Sequence, residues 1–359
     1  MMKTVSVVIL NWNGKKYLEK FLPFLLESIK DMPQAEIVVA DNASTDDSLE
    51  FLKQNYKNSV KTIILDRNYG FAGGYNRALK QIESDYYVLI NSDVEVTKDW
   101  LKVLYDYMEA NPKVAACQPK ILSYHKRNHF EYAGAAGGFI DKLGYPYCRG
   151  RIFHVLEEDK GQYDDIKDVF WASGACFIIR KEDFWNVGAF DEDFFAHMEE
   201  IDLCWRINSR GRRVTCNPQS VVYHIGGGTL NAESPRKTYL NFRNNLLMLY
   251  KNLPHKSVKK TFDTRFYLDN LAAFVMLLQR KPEHLKAVTD ARTDFRNMQE
   301  DFAEKRNENI LKSVRSTFKT ISQKSILYEF YIKRHRKFSE LTRNDVEIDS
   351  FEEKTTETI

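Results

Sequence analysis

Cysteine is scarce in this chain and badly placed for cross-linking. Cys117, Cys148, Cys176, Cys204 and Cys216 are odd in number, widely spaced and never in a CxxC pair. That excludes a disulfide framework and a cysteine-based zinc motif, and implies the reduced thiols of a cytosolic enzyme. No run reaches the roughly 18 apolar residues of a membrane span. The chain enters a strand-like segment at once, with no apolar leader ahead of it. Residence on the cytoplasmic side is therefore the expectation. An excess of one charge is lacking too: 53 basic against 50 acidic side chains leave +3 over 359 residues. A dedicated nucleic-acid binder would show a strong basic bias, so nucleic acid is not an expected partner. There is no internal repeat, and neither GxGxxG nor a Walker loop.

What is present is ordinary globular composition, 43% hydrophobic and 29% charged, at a length that suits two domains or one with an appendage. The first ninety residues alternate regularly. Val5–Leu10, Glu36–Ala40, Thr62–Leu65 and Tyr86–Ile90 are short apolar runs, separated by helix-like stretches at Lys15–Lys30, after Ser44 or Thr45 as cap, and at Gly74–Ile82. Such alternation predicts βαβ units around a parallel sheet. Each apolar run ends in a polar cluster: Asn11-Trp12-Asn13-Gly14, Asp41-Asn42, Asp66-Arg67-Asn68, Asn91-Ser92-Asp93. The carboxyl ends of strands form the ligand crevice of an open α/β sheet, so Asn11, Asp41, Asn68 and Asp93 should converge. The middle of the chain predicts further strands over Val169–Arg180 and Arg213–Tyr223. Helices are expected over Tyr239–Asn252, Phe262–Arg280, Glu283–Glu304 and Ile310–Lys337.

Several of these clusters have chemistry. Oxygen ligands at Asn91-Ser92-Asp93 suit a divalent cation that also grips phosphate. Asp41 can accept from a base N–H, and the amides opening the next helix favour acceptors. The loop Asn68-Tyr69-Gly70-Phe71-Ala72-Gly73-Gly74-Tyr75-Asn76 lets backbone N–H groups approach a ligand closely. His197-Met198-Glu199-Glu200-Ile201-Asp202 crowds three carboxylates, which raises their pKa values and suits a general base. Asp202 and Arg206, at i and i+4, read as a structural ion pair. His224 ends an apolar strand ahead of Gly226-Gly227-Gly228, where metal or ligand contact is plausible.

In this order and spacing the pieces VVILNWNG, DNASTD, RNYGFAGGYNRAL, LINSDVEV, WASGACFIIRKEDFWNVGAFDEDFF, EEIDLCWR and YHIGGG resemble family 2 glycosyltransferases, the rhamnosyltransferase-like branch above all, over about residues 4–250. The resemblance implies an α/β class GT-A fold, an open, mostly parallel sheet flanked by helices, with a helical C-terminal region. It implies a catalytic domain over 1–235; the helical pattern and basic excess beyond it mark a helical basic region over 236–343, and six acids against one Lys without a core pattern mark an acidic disordered tail over 344–359. By the same resemblance Asp41 recognises the pyrimidine base. Asn11, Asn13, Asn68, Gly73, Asn76, Asn91 and Ser92 help hold the nucleotide-sugar. Asp93 and His224 hold Mg2+ or Mn2+, and Glu200, beside Glu199, is the catalytic base. Trp171, Gly174 and Asp202 face the acceptor. Two departures stand out: Asn91 occupies the first position of the DxD motif, and Glu199-Glu200 replaces the family's Glu-Asp pair.

The activity implied is inverting transfer from dTDP-rhamnose or a UDP-sugar to a surface-polysaccharide or lipid-linked glycan. The alternatives are a nucleotidyltransferase and an inactive carbohydrate-binding homologue. Residues 251–343 carry 21 Lys/Arg against 11 Asp/Glu, and Leu271–Leu278 is apolar between basic neighbours. That stretch could rest on the inner face of the plasma membrane, or form a buried or homodimer interface.

Overall fold

The computed structural model describes residues 2–226 and 234–341. Its first half follows the βα alternation closely. Strand β1 (Val5–Asn11) is followed by α1 (Lys15–Ser28), β2 (Ala35–Asp41), α2 (Ser48–Tyr56), β3 (Lys61–Ile64), α3 (Gly70–Leu79) and β4 (Tyr86–Ile90). Strand β5 (Val94–Val96), α4 (Trp100–Ala110) and β6 (Val114–Ser123) come next. Four short strands then form a meander: β7 (Gly138–Asp141), β8 (Pro146–Cys148), β9 (Arg151–Ile152) and β10 (Val155–Leu156). Strands β11 (Lys167–Asp168) and β12 (Cys176–Arg180), helices α5 (Lys181–Asn186) and α6 (Glu199–Ser209), and the long strand β13 (Arg213–His224) return to the main sheet. Helices α7 (Pro235–Asn252), α8 (His255–Leu278), α9 (Pro282–Asn297) and α10 (Gln299–Leu311) precede a last strand, β14 (Ile321–Ser322).

The main sheet runs β11-β13-β6-β12-β4-β1-β2-β3, with β5 on β13. Strands β4, β1, β2 and β3 are parallel, and β12 is inserted antiparallel between β4 and β6. Both faces are covered, which is why β4 is apolar at every position rather than alternating. Tyr87 and Leu89 enter one core while Tyr86, Val88 and Ile90 enter the other. Register then aligns the strand ends: Asn11 lies opposite Asp41, and Ile9 opposite Ile90. The second sheet, β10-β9-β8-β7-β14, is an antiparallel meander closed by the parallel β14.

Several expectations shift. The helix after Asp41 starts at Ser48, not at a Ser44 or Thr45 cap. Ser44 is drawn instead onto the Asp41 carboxylate, and Asp46 accepts from Ser48 N at 3.1 Å. Helix α3 begins at Gly70 because Phe195 O accepts from Phe71 N at 2.7 Å and fixes its first turn. Gly70 sits at φ +70°, and a Cβ there would come within 2.5 Å of the Phe195 ring. The segment 169–180 is not one strand: Trp171 pairs with Gly138 of the small sheet before β12 joins the large one. The helix expected over 283–304 breaks at Met298 into α9 and α10.

Residues 312–337 are not a long helix. Ser313, Ser316, Thr317, Thr320 and Ser322 compete with helical bonding. Ile321 and Ser322 pair with Ile140 and Asp141, whose carboxylate also takes Ile326 N at 2.9 Å. The residues of the acidic tail lie outside the described ones.

Candidate active site

The nucleotide-side residues meet at the carboxyl rim of β1, β2 and β4. Asp41 is completely buried. Its Oδ2 accepts from Asn11 Nδ2 at 3.0 Å and Ser44 Oγ at 2.6 Å, while Oδ1 accepts from Ser44 N at 2.8 Å. Asn13 Oδ1 takes Thr45 N at 2.7 Å and so shapes the same loop. Asn68 is joined to this group through Asn42, whose amide donates to Asn68 Oδ1 at 3.1 Å. The turn Asn91-Ser92-Asp93 lies beside β1: a Cβ on Gly14 would sit 3.2 Å from Ser92 Oγ.

Asp93 and His224 come together across 131 residues because β5 pairs with the end of β13. His224 Nε2 lies 3.1 Å from Asp93 Oδ1. Its other nitrogen faces Glu131 Oε2, also at 3.1 Å, an ion-pair contact whose angle falls short of a hydrogen bond. Burial opposes a charged imidazole here, but the Asp93 and Glu131 carboxylates outweigh it and push the ring up to about 10. One carboxylate oxygen and one imidazole nitrogen, the latter giving up its proton to the cation, would fit Mg2+ or Mn2+ when a diphosphate and water fill the other positions. Among the described residues no three His, Cys, Asp or Glu side chains form a closed cage. A cation here would be held by Asp93 and His224 alone on the protein side. Glu131, buried behind the histidine, is the orienting carboxylate that the sequence did not reveal.

The carboxylate pair stands at the start of α6. Glu199 is 4% exposed, and Glu199 Oε2, Glu200 Oε2 and His197 Nε2 are buried without a hydrogen-bond partner among the described residues. Burial raises Glu200 to about 7. Burial first, and the Glu200 charge second, raise Glu199 well above the ordinary range. Burial, with Lys237 nearby, lowers His197 to about 4. Desolvation thus outweighs the crowding anticipated from the sequence.

The turn that presents this pair is strained. Phe195, His197 and Met198 have φ of 62°, 71° and 72° without being glycine. Asn244, fully buried on α7, holds it: its amide lies 2.8 Å from Phe194 O, 2.9 Å from Ala196 O and 2.8 Å from His197 O. Arg243 reinforces it by donating to Asp193 O at 2.7 Å and to Asn244 Oδ1 at 2.8 Å. An asparagine inside a helix has no local signature, so only the packed α7 shows its task.

Other anticipated residues lie elsewhere. Asn76 is bound in both directions to the Phe190 backbone, at 2.9 and 3.2 Å, and lines a separate cavity of about 550 Å3 beside α6. Asp202 has no exposed surface and is locked by Arg206, Lys251 and Asn252 at 2.8, 3.0 and 2.7 Å. That is the structural ion pair foreseen for it, extended by α7, and it leaves no face for an acceptor. Gly73 is buried in α3, where a Cβ would meet Tyr69 and Arg77. Trp171 is 2% exposed and donates to Phe139 O at 3.0 Å, so it forms the inner wall. Gly174 faces Phe71, with 3.1 Å left for a Cβ.

Residues 6–188 match the family profile described as Glycosyl transferase family 2. The chain is 26% identical over 239 residues to the N-acetylglucosaminyl-diphospho-decaprenol L-rhamnosyltransferase of Mycobacterium tuberculosis, covering 62% of this chain and 76% of that one. It is 24% identical over 229 residues to the rhamnosyltransferase WbbL of Escherichia coli, covering 61% and 83%. Among solved structures it is similar to GalNAc-T7 with UDP, GalNAc and Mn2+ (TM-score 0.55, 16% identity, 84% of this chain and 57% of that one). It is also similar to S. aureus TarS 1-349 in complex with UDP-GlcNAc (TM-score 0.53, 18% identity, 85% and 89%). At these identities the structural likeness carries the GT-A fold alone.

Two outcomes follow from the site itself. A buried carboxyl whose folded pKa lies above its ordinary 4.5 takes up protons on folding between pH 4.5 and about 7, so it lowers stability as pH rises through that window. Glu200→Gln should therefore be more stable than wild type at pH 8 by about 1–3 kcal/mol, and nearly equal to it at pH 4, in urea melts. Asn244→Ala should lose about 1–3 kcal/mol, because buried carbonyls are left bare. Its turnover should fall by about 10²-fold as the pair shifts, while nucleotide binding measured by calorimetry is retained.

Proposed function

Because the chain belongs to glycosyl transferase family 2, we propose that it is an inverting, cation-dependent glycosyltransferase with Glu200 as its base. The observation that carries the proposal is the Glu199–Glu200 pair, whose Oε2 atoms are buried without a partner among the described residues, at a turn tied through Phe195 O to the glycine-rich loop that Asn42 joins to Asn68. Asp41, Asn11, Asn13 and Asn68 would seat the nucleotide. Asp93 and His224 would hold Mg2+ or Mn2+, which when bound neutralises charge on the departing diphosphate. Glu200 would take the proton from the acceptor hydroxyl as that oxygen attacks the anomeric carbon from the face opposite the diphosphate. Burial raises both carboxyls, so the pair would share a proton, and Glu200 is the member proposed to ionise.

A nucleotidyltransferase is disfavoured, since the loop after β1 is Asn11-Trp12-Asn13-Gly14 and carries no cation. An inactive carbohydrate-binding homologue is disfavoured because buried carboxyls without partners lower stability and have no use in a scaffold. The donor we propose is dTDP-rhamnose or a UDP-sugar, rhamnosyl transfer being what the names of two relatives print and UDP or UDP-GlcNAc what two similar structures hold. The acceptor is a lipid-linked or surface-polysaccharide glycan.

We place the reaction on the cytoplasmic side, with the region after residue 235 touching the membrane surface. Helix α8 is inverted relative to an ordinary surface helix. It buries Thr261, Arg265, Asp269 and Ala273, with Arg265 and Arg292 paired to Asp269. Outward it turns Phe266, Tyr267, Leu271, Phe274, Val275 and Leu278, the last 67% exposed. No helix among the described residues is long and apolar enough to cross a membrane. Lys256, Lys259 and Lys260 before this face and Arg280 and Lys281 after it match an anionic bilayer.

Glu200→Gln should lower transfer by about 10²–10⁴-fold while sugar-nucleotide binding persists, read as nucleoside diphosphate release beside calorimetric titration. Undiminished release would remove Glu200 from the mechanism. The full-length protein should float with phosphatidylglycerol-rich vesicles and not with neutral ones, and Leu271→Glu with Phe274→Glu should abolish flotation. If the same pair of changes instead converted a dimer to a monomer, the face would be a self-association surface.

A further inference from the structure

Buried cations in this protein are paired almost as a rule. Lys251 lies against Asp191 and Asp202, Arg206 against Asp202, Arg265 against Asp269, and Lys120 against Asp159. Arg306 is met by the Tyr250 carbonyl and His255 in place of a carboxylate, and two cations at the edge of the candidate active site also break the pattern. Arg151, on β9 of the small sheet, is 5% exposed, yet among the described residues no carboxylate oxygen lies within 4 Å of its guanidinium. Of its five N–H donors, Nη1 reaches Phe153 O at 3.2 Å and Nη2 reaches the Cys148 sulfur at 3.2 Å. Nε is buried with no partner at all. Lys237, half-buried in the first turn of α7, likewise has no carboxylate partner among the described residues.

The two cations flank one aromatic ring. The Arg151 guanidinium carbon is 4.5 Å and the Lys237 nitrogen 6.0 Å from the centre of Tyr132, which is 52% exposed. Tyr132 directly follows Glu131, the residue behind His224. The group also adjoins the catalytic carboxylates, since Glu131 and Glu200 both act on the Cys148 thiol that Arg151 touches. Lys237 likewise acts on His197, next to the Glu199–Glu200 turn. Glu131 acts on both cations from beyond ion-pair distance, and its carboxylate is in contact with His224 instead.

A buried guanidinium without a counter-charge is expensive unless a ligand supplies one. We propose that Arg151 and Lys237, with Tyr132 between them, form a second phosphate subsite, beyond the Asp93–His224 pair and on the small-sheet side of the active site. Arg151 presents a planar fork that suits a phosphoryl group, and Lys237 adds a mobile point charge. A diphosphate could come from two molecules: the sugar-nucleotide donor, or an acceptor whose sugar sits on a diphosphate. Only that question of source rests on the glycosyltransferase proposal; the subsite itself does not.

The test is calorimetric titration of the full-length protein with inorganic pyrophosphate in the presence of EDTA, so that no divalent cation contributes. Wild type should bind. Arg151→Met and Lys237→Met should each weaken binding by about tenfold or more, with Arg151→Lys intermediate. Failure of wild type to bind, or binding by both Met variants as tight as wild type's, overturns the subsite. If Arg151→Met does not fold, Lys237→Met, at a partly exposed helix start, decides alone. Repeating the titration with saturating UDP or dTDP separates the sources. Pyrophosphate that still binds assigns the subsite to the acceptor, and pyrophosphate that is displaced assigns it to the donor. Loss of nucleoside diphosphate release from every sugar nucleotide would count against the glycosyltransferase proposal without touching this one.

Discussion

A four-residue turn between Phe195 and Met198 carries more of this active site than any strand does. Three of its residues take a backbone conformation that L-amino acids avoid, and such strain persists only where the surroundings enforce it. The enforcement comes from two directions. Phe195 O binds the first turn of α3, and Asn244 on α7 gathers the carbonyls of Phe194, Ala196 and His197. The turn therefore couples the glycine-rich loop to the carboxylates of α6 and to the C-terminal helices. If it relaxed, donor and base would lose their common reference.

The C-terminal helices are, for this reason, part of the body that positions the proposed base. Helix α7 contributes Asn244 to the turn, and Lys251 and Asn252 to the charge network under α6. Strand β14 closes the small sheet against β7. The network round Asp191, Asp202, Arg206 and Lys251 is fully paired, whereas a few ångströms along the same helix Glu199 and Glu200 have bare oxygens. Charges that hold the fold are ion-paired, and the carboxylates proposed to react are left open.

How much of this could be read from the chain depends on how local each signal was. The strands and their polar ends were legible because β-branched runs ending in Asn or Asp are local patterns, and register alone then brings Asn11 to Asp41. The meeting of Asp93 with His224 was expected from the family resemblance alone, and it rests on β5 pairing with the end of β13. Glu131, Asn244, Arg151 and Lys237 were not legible. Each lies in a stretch with no motif, and its task arises only when β5 meets β13 or α7 packs on α6. Asn76 and Asp202 misled for the opposite reason: they adjoin motifs in sequence, but helical geometry turns them toward Phe190 and Arg206. The failed helix over 312–337 shows tertiary pairing overriding a helical pattern already weakened by serine and threonine.

The account stands or falls on whether an ionising carboxyl at the start of α6 governs turnover. The direct measurement is the pH dependence of kcat/KM for nucleoside diphosphate release in the presence of acceptor. The account predicts activity rising with pH to a plateau, with a midpoint near the value of about 7 that burial imposes on Glu200. A flat profile between pH 5 and 9, or a rising limb that survives intact in Glu200→Gln, would contradict it.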